Sequence, residues 1–423
     1  MPERRENADG RSTLAAVKAL IVGSGAREHA LAWKLGQSPV LGELHAAPGN
    51  PGIASLGTCH PVRAEDGEGL LSLSRALGID LVVVGPEAPL VAGLADTLRH
   101  AGVAVFGPTR SAAQIEGSKT FAKDVLEAAG VPTARRLAVA RPPCVVKADG
   151  LAAGKGVFVC RTQEELDAGL TAAAKLGSDF VVEELLEGEE VSLFAISDGS
   201  RTIGLAPAQD FKRIGDHDTG PNTGGMGAYS PVPGVGEPEV EELLESVHRP
   251  ALAELARRGS PFSGLLYAGL MMTADGPRVL EFNCRFGDPE TQSVLPRLEG
   301  DLLPLLWGGA TGELRAEASV QDDAAVTVVV AGAGYPERSD NGTPIEGVED
   351  AEATGALVFH AGTALHDGRL VTSGGRVLAI TATGADVAAA RALAYEAVSR
   401  ISFDGMQFRH DIALSAAEGH VRS

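Results

Sequence analysis

ALIVGSGAREHALAWKL, residues 19–35, runs from an apolar strand through a glycine turn into a helical segment. Further short apolar runs follow at 80–84 (DLVVV) and 103–106 (VAVF). This alternation of strand, turn and helix predicts an α/β fold in which helices cover a parallel sheet. The turn satisfies only the first two glycines of G-x-G-x-x-G, because Glu28 stands in place of the third. That departure argues against a nicotinamide-dependent oxidoreductase.

The composition excludes several classes of protein. A chain of 423 residues is too long for one hydrophobic core and predicts roughly three or four domains. With 44% hydrophobic residues, 22% charged residues and 53 glycines, it has the composition of a soluble, turn-rich α/β protein. The formal charge of −20 argues against nucleic acid or an anionic membrane as its partner.

Cysteine usage and the lack of long apolar runs predict a cytoplasmic location. The four cysteines have no C-x-x-C spacing, so neither a zinc site nor a disulfide framework is expected. Cys144 and Cys160 either face each other across a hairpin or are small core residues, and the second interpretation is favoured. No apolar run approaches the ~18 residues of a membrane span. The charged start lacks the apolar stretch of a signal peptide, and residues 1–16 are expected to form a loose tail.

KADGLAAGKGV, residues 147–157, is dense in glycine and lies between the β-branched runs CVVK and VFVC. It should therefore form the tip of a hairpin in a small sheet. It is not a Walker loop, because Asp149 replaces the first glycine and Gly156 replaces the final Ser or Thr. Lys147 either reaches out to solvent or binds an anion, and the glycine loop that follows it favours the anion.

EFNCRFGDPETQ, residues 281–292, carries the strongest chemical signal. Side chains two apart on a strand share a face, so Glu281, Asn283 and Arg285 should point one way and the aromatic and cysteine residues between them the other. A carboxylate beside an amide oxygen suits Mg²⁺, and Arg285 could fork onto a carboxylate substrate. The alternative is an edge strand whose polar residues face water. The Gly-Asp-Pro turn at its end favours a functional wall.

Three turns follow strands of the predicted parallel sheet, at 23–30 (GSGAREHA), 48–52 (PGNPG) and 85–90 (GPEAPL). Open α/β sheets bind ligands at such carboxyl ends, and Arg27 beside a helix N-terminus suits a phosphate. Each turn alone is typical of ordinary structure. Three turns at one edge favour a sugar-phosphate site.

Two polar segments are less specific. VVEELLEGEEVS, 181–192, places acidic residues near a strand end, where backbone groups could pair with adenine and a carboxylate with ribose hydroxyls. An acidic, solvated turn is the favoured interpretation from the pattern alone. DTGPNTGGMG, 218–227, is too dense in glycine and polar residues to be only a linker, but its pattern assigns it no chemistry.

Together these stretches closely resemble the phosphoribosylamine–glycine ligase family, the glycinamide ribonucleotide synthetases of purine biosynthesis, which are ATP-grasp enzymes. The resemblance covers nearly all of residues 18–415 in order, and its most specific parts are DTGPNTGGMGAYSP and EFNCRFGDPETQ. The other matching stretches are GSGAREHALAWKL, PGNPG, VGPEAPLVAGLAD, FGPT, QIEGSKTFAK, KADGLAAGKGV, VVEELLEGEEVS, QDFKRIGDH, GLLYAGLM, and HAGT with TSGGRVL.

The resemblance implies an ATP-grasp fold with an N-terminal parallel α/β (pre-ATP-grasp) domain, a small mobile lid and a C-terminal β-rich domain. The expected boundaries are a tail at 1–16, the N-terminal domain that binds phosphoribosylamine at 17–118, the lid at 119–189, the core at 190–320 and the C-terminal domain at 321–423. The lid is expected to be shortened, because PTARRLAVARPPCVVK lacks a helix and AAAKLGS lacks a longer loop that relatives carry.

The resemblance also implies an ATP site with Mg²⁺ or Mn²⁺. Glu281 and Asn283 correspond to the metal ligands. The implied nucleotide contacts are Lys119 and Lys147 with phosphate, Gly154, Lys155 and Gly156 in the glycine loop, Glu183, Glu184 and Leu185 at the adenine hinge, and Glu190 with ribose.

The implied reaction has two steps, in which glycine is phosphorylated by ATP and the amine of phosphoribosylamine then displaces phosphate from glycyl phosphate. Lys147, Arg285 and Asp218 are the implied catalytic residues. The implied substrate contacts are Gly23, Gly25, Arg27, Glu28, Asn50, Pro86 and Glu87 in the N-terminal loops, with Thr219, Asn222, Thr223, Gly224, Arg285 and Asp288 elsewhere.

Two alternatives stay open beside this ligase. One is another ATP-grasp carboxylate–amine ligase, and the other is a weakened nucleotide-binding or scaffolding protein with a shortened lid. The expected partners are small molecules only, namely ATP, glycine and 5-phosphoribosylamine, with no nucleic acid and no membrane. A monomer or weak homodimer is expected.

Overall fold

The computed structural model describes residues 5–6, 12–13, 16–151, 156–177 and 179–419. Within these residues, no helix is both long and apolar enough to cross a membrane. Two of the strands, β1 (Arg5–Glu6) and β2 (Ser12–Thr13), form a short antiparallel pair in the segment expected to be a tail.

The parallel sheet predicted from the opening stretch is present. Its five strands lie in the order β5-β4-β3-β6-β7, and all the pairings are parallel. Central strands such as LVVV are buried on both faces, which explains their continuous apolar sequence. The elements are β3 (Val17–Gly23), α1 (Ala26–Leu35), β4 (Leu41–Pro48), α2 (Pro51–Ala54), β5 (Thr58–Cys59), α3 (Gly67–Leu77), β6 (Leu81–Val84), α4 (Glu87–Ala92), α5 (Leu94–His100), β7 (Ala104–Phe106) and α6 (Arg110–Gly117).

The lid segment contains the predicted hairpin. Its elements are α7 (Lys119–Ala129), β8 (Cys144–Ala148), β9 (Val157–Cys160), α8 (Gln163–Leu176) and β10 (Phe180–Glu184). The sheet order is β10-β8-β9, and Cys144 pairs directly with Cys160 across the hairpin. Both cysteines are also fully buried in a small apolar cluster under α8, so both interpretations of this pair hold. Residues 131–143, where the family's extra helix was expected to be missing, contain no helix.

The core sheet has the antiparallel order β12-β11-β17-β18, and β17 and β18 form the hairpin predicted at Asp275-Gly276. Single 3-10 turns lie at Asp216–Asp218 and Leu295–Arg297, and a π-helical turn lies at Leu244–His248. The elements are β11 (Glu189–Asp198), β12 (Thr202–Gly204), β13 (Gln209–Asp210), β14 (Arg213–Gly215), β15 (Thr219–Asn222), β16 (Gly227–Ser230), α9 (Glu237–Leu243), α10 (Arg249–Arg257), β17 (Ser263–Thr273), β18 (Gly276–Asn283), α11 (Glu290–Val294), β19 (Leu298–Glu299), α12 (Leu302–Thr311) and β20 (Ser319–Val320).

The C-terminal part is rich in strands, as predicted. Its main sheet has the order β13-β16-β21-β26-β23, so two of its strands come from the core segment. The core and the C-terminal part therefore share one hydrogen-bonded sheet. The elements are β21 (Ala324–Ala331), β22 (Asp340–Pro344), α13 (Val348–Glu352), β23 (Leu357–His360), β24 (Thr363–His366), β25 (Arg369–Gly374), β26 (Arg376–Gly384), α14 (Val387–Val398) and α15 (Leu414–Ala417).

Apolar clusters join these parts. One cluster runs from Leu20 in the parallel sheet to Phe282 of β18. Phe282 lies beside the polar wall, defined as Glu281, Asn283 and Arg285. A second joins Ile21, Phe194 of the core sheet and Phe359 of the C-terminal sheet. Burial of apolar surface across all three parts holds the carboxyl edge of the parallel sheet against the end of β18.

Candidate active site

The polar wall lies at the end of β18. Phe282, Cys284 and Phe286 are each at most 2% exposed and pack into the hydrophobic core, so one side of the stretch is buried as predicted. The strand ends at Asn283, and Arg285 follows on a bend. Arg285 nonetheless lies beside Asn283, since its Nη2 donates to the Asn283 Oδ1 at 3.1 Å.

Arg285 is held by acids from two helices of the N-terminal part. Its Nε lies 3.2 Å from Glu87 Oε2, and its Nη2 lies 3.0 Å from Glu116 Oε1. Its Nη1 donates to the Phe286 carbonyl at 3.2 Å. Burial lowers the pKa of Arg285, but the two carboxylates outweigh it and raise the pKa above its usual value. The guanidinium is thus permanently charged and already has protein acceptors on all three nitrogens.

Glu281 sits among cations. Burial raises the pKa of its carboxyl group, but Lys119, Lys212, Lys147 and Arg285 together lower it below the usual value. The side chain is therefore an anion at neutral pH, under the influence of positive charge from four segments of the chain. Such a setting stabilises negative charge on any group that binds beside it.

Lys147 lies on the lid strand β8 and faces the core. Its Nζ donates to the Leu280 carbonyl at 2.8 Å and lies 2.8 Å from Glu183 Oε2. The other oxygen of Glu183 lies 2.7 Å from Lys123 Nζ. The Glu183 carboxylate is therefore shared by two lysines.

Two further acids of the 181–192 segment, Glu184 and Glu190, are paired with basic side chains. Glu184 accepts from the backbone and the Nε of Arg135, at 3.0 and 2.7 Å. Glu190 pairs with Lys212 Nζ, which also lies 3.2 Å from Asp210 Oδ1. Burial raises the pKa of Asp210 to about 7, although Lys212 opposes the shift. Leu185 is half-buried just after β10.

The glycine loop is anchored at the start of α7. Asp149 accepts from the backbone N–H of Lys119 at 2.5 Å, from Ser118 Oγ at 3.2 Å and from the Gly150 N–H at 3.0 Å. At the far end of the loop, the Gly156 carbonyl accepts from the Ala148 N–H at 2.8 Å. Gly154 and Lys155 lie outside the described residues.

Two of the N-terminal turns, at 23–25 and at Gly85, close over Glu28. Its Oε2 accepts from the Gly25 N–H at 2.6 Å, and its Oε1 accepts from Arg27 Nε at 2.6 Å. A Cβ at Gly23 would lie 2.7 Å from Glu28 Cδ, and one at Gly85 would lie 1.9 Å from Glu28 Oε1. The glutamate thus fills the space beneath the glycine turn, which is the physical reason that the dinucleotide pattern fails here.

Asn50 and the start of α4 frame the same edge. Asn50 Oδ1 accepts from the Ile53 N–H at 2.9 Å, and its Nδ2 donates to the carbonyls of Ser24 and His360, at 2.9 and 2.8 Å. Pro86 precedes α4, whose first residue is Glu87. Asn50 therefore ties the first glycine turn to the C-terminal strand β23.

The glycine-rich 218–227 segment packs on the C-terminal part. Thr223 Oγ1 donates to the Lys212 carbonyl at 2.8 Å, and the Gly224 N–H donates to Tyr335 Oη at 2.9 Å. Asp218 Oδ1 lies 2.8 Å from Arg409 Nη1. This contact gives Asp218 a structural partner where the glycine-rich segment meets the C-terminal part. Its catalytic role stays a prediction. Thr219 and Asn222 lie in the β14–β15 hairpin.

Asp288 is the point where three parts of the chain meet. Its Oδ2 lies 2.9 Å from Arg376 Nη2, and its Oδ1 accepts from Gln292 Nε2 at 2.8 Å. Arg376 Nη1 donates to the carbonyls of Asp288 and Gly225, at 3.0 and 3.3 Å. A Cβ placed on Gly25 would lie 3.7 Å from Asp288 Oδ2, so the first glycine turn borders the same carboxylate.

Three family models match the chain in succession. They are described as the phosphoribosylglycinamide synthetase N domain, matching residues 17–116, the ATP-grasp (A) domain, matching 117–291, and the C domain, matching 325–415. The chain belongs to the phosphoribosylglycinamide synthetase family. The ATP-grasp fold with a parallel N-terminal domain and a β-rich C-terminal domain is thereby confirmed.

Relatives of this synthetase match over nearly their whole length. The phosphoribosylamine–glycine ligase of Streptomyces coelicolor is 53% identical over 95% of this chain and 100% of its own. That of Agrobacterium fabrum is 50% identical over 95% and 99%. The crystal structure of the Thermotoga maritima phosphoribosylamine–glycine ligase superposes with a TM-score of 0.81 at 34% identity, covering 94% of this chain and 100% of that one.

A more distant neighbour shows the fold alone. The biotin carboxylase domain of the Hydrogenobacter thermophilus 2-oxoglutarate carboxylase has a TM-score of 0.69 at 15% identity, covering 94% of this chain and 92% of that one.

Sequence reasoning missed several residues of the synthetase site. Four residues contact residues singled out from the sequence, yet none was assigned a role: Lys123, Glu116, Lys212 and Arg376. Each of the four lies inside a stretch that resembles the family, so the resemblance could have drawn attention to them. Lys123 also follows Lys119 by four residues on one face of α7, a spacing visible in the sequence.

Proposed function

We propose that this synthetase ligates glycine to 5-phosphoribosylamine with ATP, giving glycinamide ribonucleotide, ADP and phosphate in de novo purine biosynthesis. The observation that carries the proposal is the end of β18, where Arg285 donates to Asn283 and Lys147 donates to the Leu280 carbonyl. There Lys119, Lys212, Lys147 and Arg285 together lower the pKa of Glu281. Relatives named phosphoribosylamine–glycine ligase match 95% of the chain at 50% and 53% identity.

In the first step, the carboxylate of glycine attacks the γ-phosphorus of ATP and ADP leaves, giving glycyl phosphate. In the second, the amine of phosphoribosylamine attacks the carbonyl carbon, the C–O bond to phosphate breaks, and the amine loses a proton as the amide forms. Both steps build negative charge on a leaving phosphate group, ADP in the first and inorganic phosphate in the second. The ammonium groups of Lys119, Lys147 and Lys212 stabilise that charge in place, with no need for a nucleophilic side chain.

The metal would be held by Glu281 and Asn283. Both offer oxygen, and the surrounding cations keep Glu281 ionised, so the pair fits a hard divalent cation such as Mg²⁺ or Mn²⁺. Among the described residues, no group of three or more His, Cys, Asp or Glu side chains could hold a metal ion, so phosphate oxygens and water would complete its coordination. A bound divalent cation would neutralise phosphate charge.

The nucleotide would lie between the lid sheet and the core sheet. Glycine-loop N–H groups and Lys155, with Gly154 and Gly156, would cover the phosphates. Since both Glu183 oxygens already bind lysines, we assign the adenine contact to backbone groups of 183–185. Glu190 would accept from a ribose hydroxyl while staying paired with Lys212.

The substrates would bind on the N-terminal side of the wall. Backbone groups of the 23–25 and 85–87 turns, with Arg27, suit the phosphate of phosphoribosylamine. Glycine would bind near Arg285, Asp288 and the 222–224 segment. We further propose a cytoplasmic enzyme acting as a monomer or weak homodimer. The strong negative charge disfavours nucleic acid and anionic membranes as its partners.

The test is a coupled assay of ADP release with phosphoribosylamine generated in place, omitting each substrate in turn. ADP should appear only when ATP, glycine and phosphoribosylamine are all present, and alanine or serine should not replace glycine. Release with another amino acid would favour a different carboxylate–amine ligase. Nucleotide binding without ADP release under any condition would favour a nucleotide-binding protein that has lost catalysis.

A further inference from the structure

Lys123, on α7, is a buried lysine whose three ammonium protons all have acceptors. Its Nζ lies 2.7 Å from Glu183 Oε1, 2.8 Å from Thr133 Oγ1 and 2.6 Å from the Ala134 carbonyl. The residue is 3% exposed. Burial lowers the pKa of Lys123, and the Glu183 carboxylate opposes that shift. A lysine this well satisfied is held in one position.

Glu183 divides its charge between two partners. Lys123 binds one oxygen and Lys147 the other, at 2.7 and 2.8 Å, and all three side chains are almost fully buried. Two ammonium groups and one carboxylate leave a surplus of one positive charge. Buried charge is costly unless it is paired, so this triad favours the arrival of an anion.

The surplus positive charge of the triad lies on Lys147. Lys123 uses its remaining protons on Thr133 and Ala134, whereas Lys147 adds only the Leu280 carbonyl, at 2.8 Å, among the residues that the structure describes. Leu280 directly precedes Glu281, so the Lys147 ammonium group lies against the backbone of the polar wall.

The triad also connects the lid to the core. Lys147 and Glu183 project from the same face of the lid sheet, because their strands pair in register Lys147↔Val181 and Glu183↔Val145. Thr133, which binds Lys123, donates in turn to the Val279 carbonyl of β18 at 2.8 Å. Lys123 is therefore tied through Thr133 to the core strand β18 while it holds a carboxylate of the lid sheet.

We propose that Lys123 is a positioning residue for nucleotide binding: by holding one oxygen of Glu183, it keeps that carboxylate from neutralising Lys147, whose ammonium group stays available to a nucleoside triphosphate. This inference rests on the proposed function. Without Lys123, both oxygens of Glu183 would be available to pair with Lys147. A phosphate group would then have to compete with that carboxylate for the Lys147 ammonium group.

The test measures the affinity of the full chain for a non-hydrolysable ATP analogue with Mg²⁺, by calorimetry, in the absence of glycine and phosphoribosylamine. Lys123→Met should weaken binding about tenfold or more, the usual scale of a lost hydrogen bond to a charged group. Lys123→Met combined with Glu183→Gln should restore binding toward that of the wild type, because the competing charge is gone. Lys175→Met, at an exposed lysine of the same lid, is the matched control and should bind normally.

A purely structural role for Lys123 predicts no such rescue, and an unchanged affinity in Lys123→Met would overturn the proposal. Should Lys123→Met fail to fold, Glu183→Gln alone is compared with the double variant. The two should bind the analogue equally, since Lys123 acts through Glu183, and a clear difference between them would overturn the proposal. Wild type that binds the analogue but never releases ADP with both substrates would contradict the ligation and not the triad.

Discussion

Glu281 shows how a single residue obtains its chemistry from its neighbours. A carboxyl group in this position would favour its neutral form through burial alone, but four cations from α7, β8, the segment after β13 and the end of β18 reverse the shift. The same reasoning applies to Arg285, whose charge is secured by Glu87 and Glu116. The polar wall is thus a balanced set of charges in which removing one member affects the rest.

Replacing Glu281 by alanine should abolish turnover while the protein stays folded. The substitution removes the only carboxylate of the proposed metal pair and one of the negative charges among these cations, so kcat should fall by about a hundredfold or more. Steady-state ADP release measures the loss, and Mg²⁺ titration should show weaker activation. Glu317→Ala, at a side chain that is 88% exposed, is the control. Near-normal activity of Glu281→Ala would rule out the metal assignment.

At the scale of elements, the lid hairpin depends on a contact outside its own sheet. Strands β8 and β9 hold the two ends of the glycine loop, but the start of the loop is fixed by Asp149, which reaches the first N–H of α7. A carboxylate at a helix N-terminus is favourable, because it accepts from N–H groups that have no partner within the helix. Helix α7 and the loop are thereby locked together, so α7 positions the loop as well as Lys119.

Asp149→Ala should loosen the glycine loop. Losing the acceptor for Lys119, Ser118 and Gly150 should lower the free energy of unfolding by about 1 kcal/mol, the usual effect of removing a helix cap. Limited proteolysis should then cut faster within 150–156. Asp149→Asn keeps one oxygen and should behave between the alanine variant and the wild type, whereas Asp275→Ala, at an exposed turn, should have no effect. An equally protected loop in Asp149→Ala would refute this anchoring role.

At the scale of the whole molecule, the N-terminal and C-terminal parts meet through buried polar contacts. His29 Nδ1 accepts from the His360 backbone N–H at 2.8 Å, and Asn50 donates to the His360 carbonyl at 2.8 Å. The His360 ring contacts Thr363 Oγ1 at 3.0 Å. Burial lowers the pKa of His29 to about 3, with a further contribution from His360, and lowers that of His360 to about 4. Both rings are therefore neutral at physiological pH.

The buried His29 and His360 rings should make the stability of the folded protein sensitive to mild acid. An unfolded histidine binds a proton near pH 6.5, whereas these two bind one only near pH 3 to 4 when folded. Their contribution to stability is thus complete above pH 6.5 and is lost as the pH falls, by about 1.4 kcal/mol per pH unit for each ring.

The measurement is the free energy of unfolding in urea at pH 7.5 and pH 5. His29→Asn keeps an acceptor near Nδ1 but cannot be protonated, so it should lose less stability between the two pH values than the wild type. His366→Asn, at a side chain that is 78% exposed, should behave like the wild type. Equal losses in wild type and His29→Asn would contradict the role of this ring.

Particular residues show how far the sequence could be interpreted alone. The β8–β9 hairpin, the turn at Asp275-Gly276 and the inward side of 282–286 were all predictable, because strand alternation and turn residues act over a few positions. Glu28 was noticed only as a break in a pattern, and the structure shows it filling the space under two glycine turns. Lys123 gave no local signal of its partner, because it lies on helix α7 and Glu183 lies on strand β10, far along the chain.

The sequence by itself determined the alternating α/β architecture, the family and the residues of the polar wall, since each is written in short stretches whose periodicity and composition act locally. Only the tertiary structure decided which charges face one another. Glu116 reaches Arg285, Arg376 reaches Asp288 and Lys123 reaches Glu183 from distant segments. Buried ions need partners at a few ångströms, and packing between distant segments rather than spacing along the chain sets those distances.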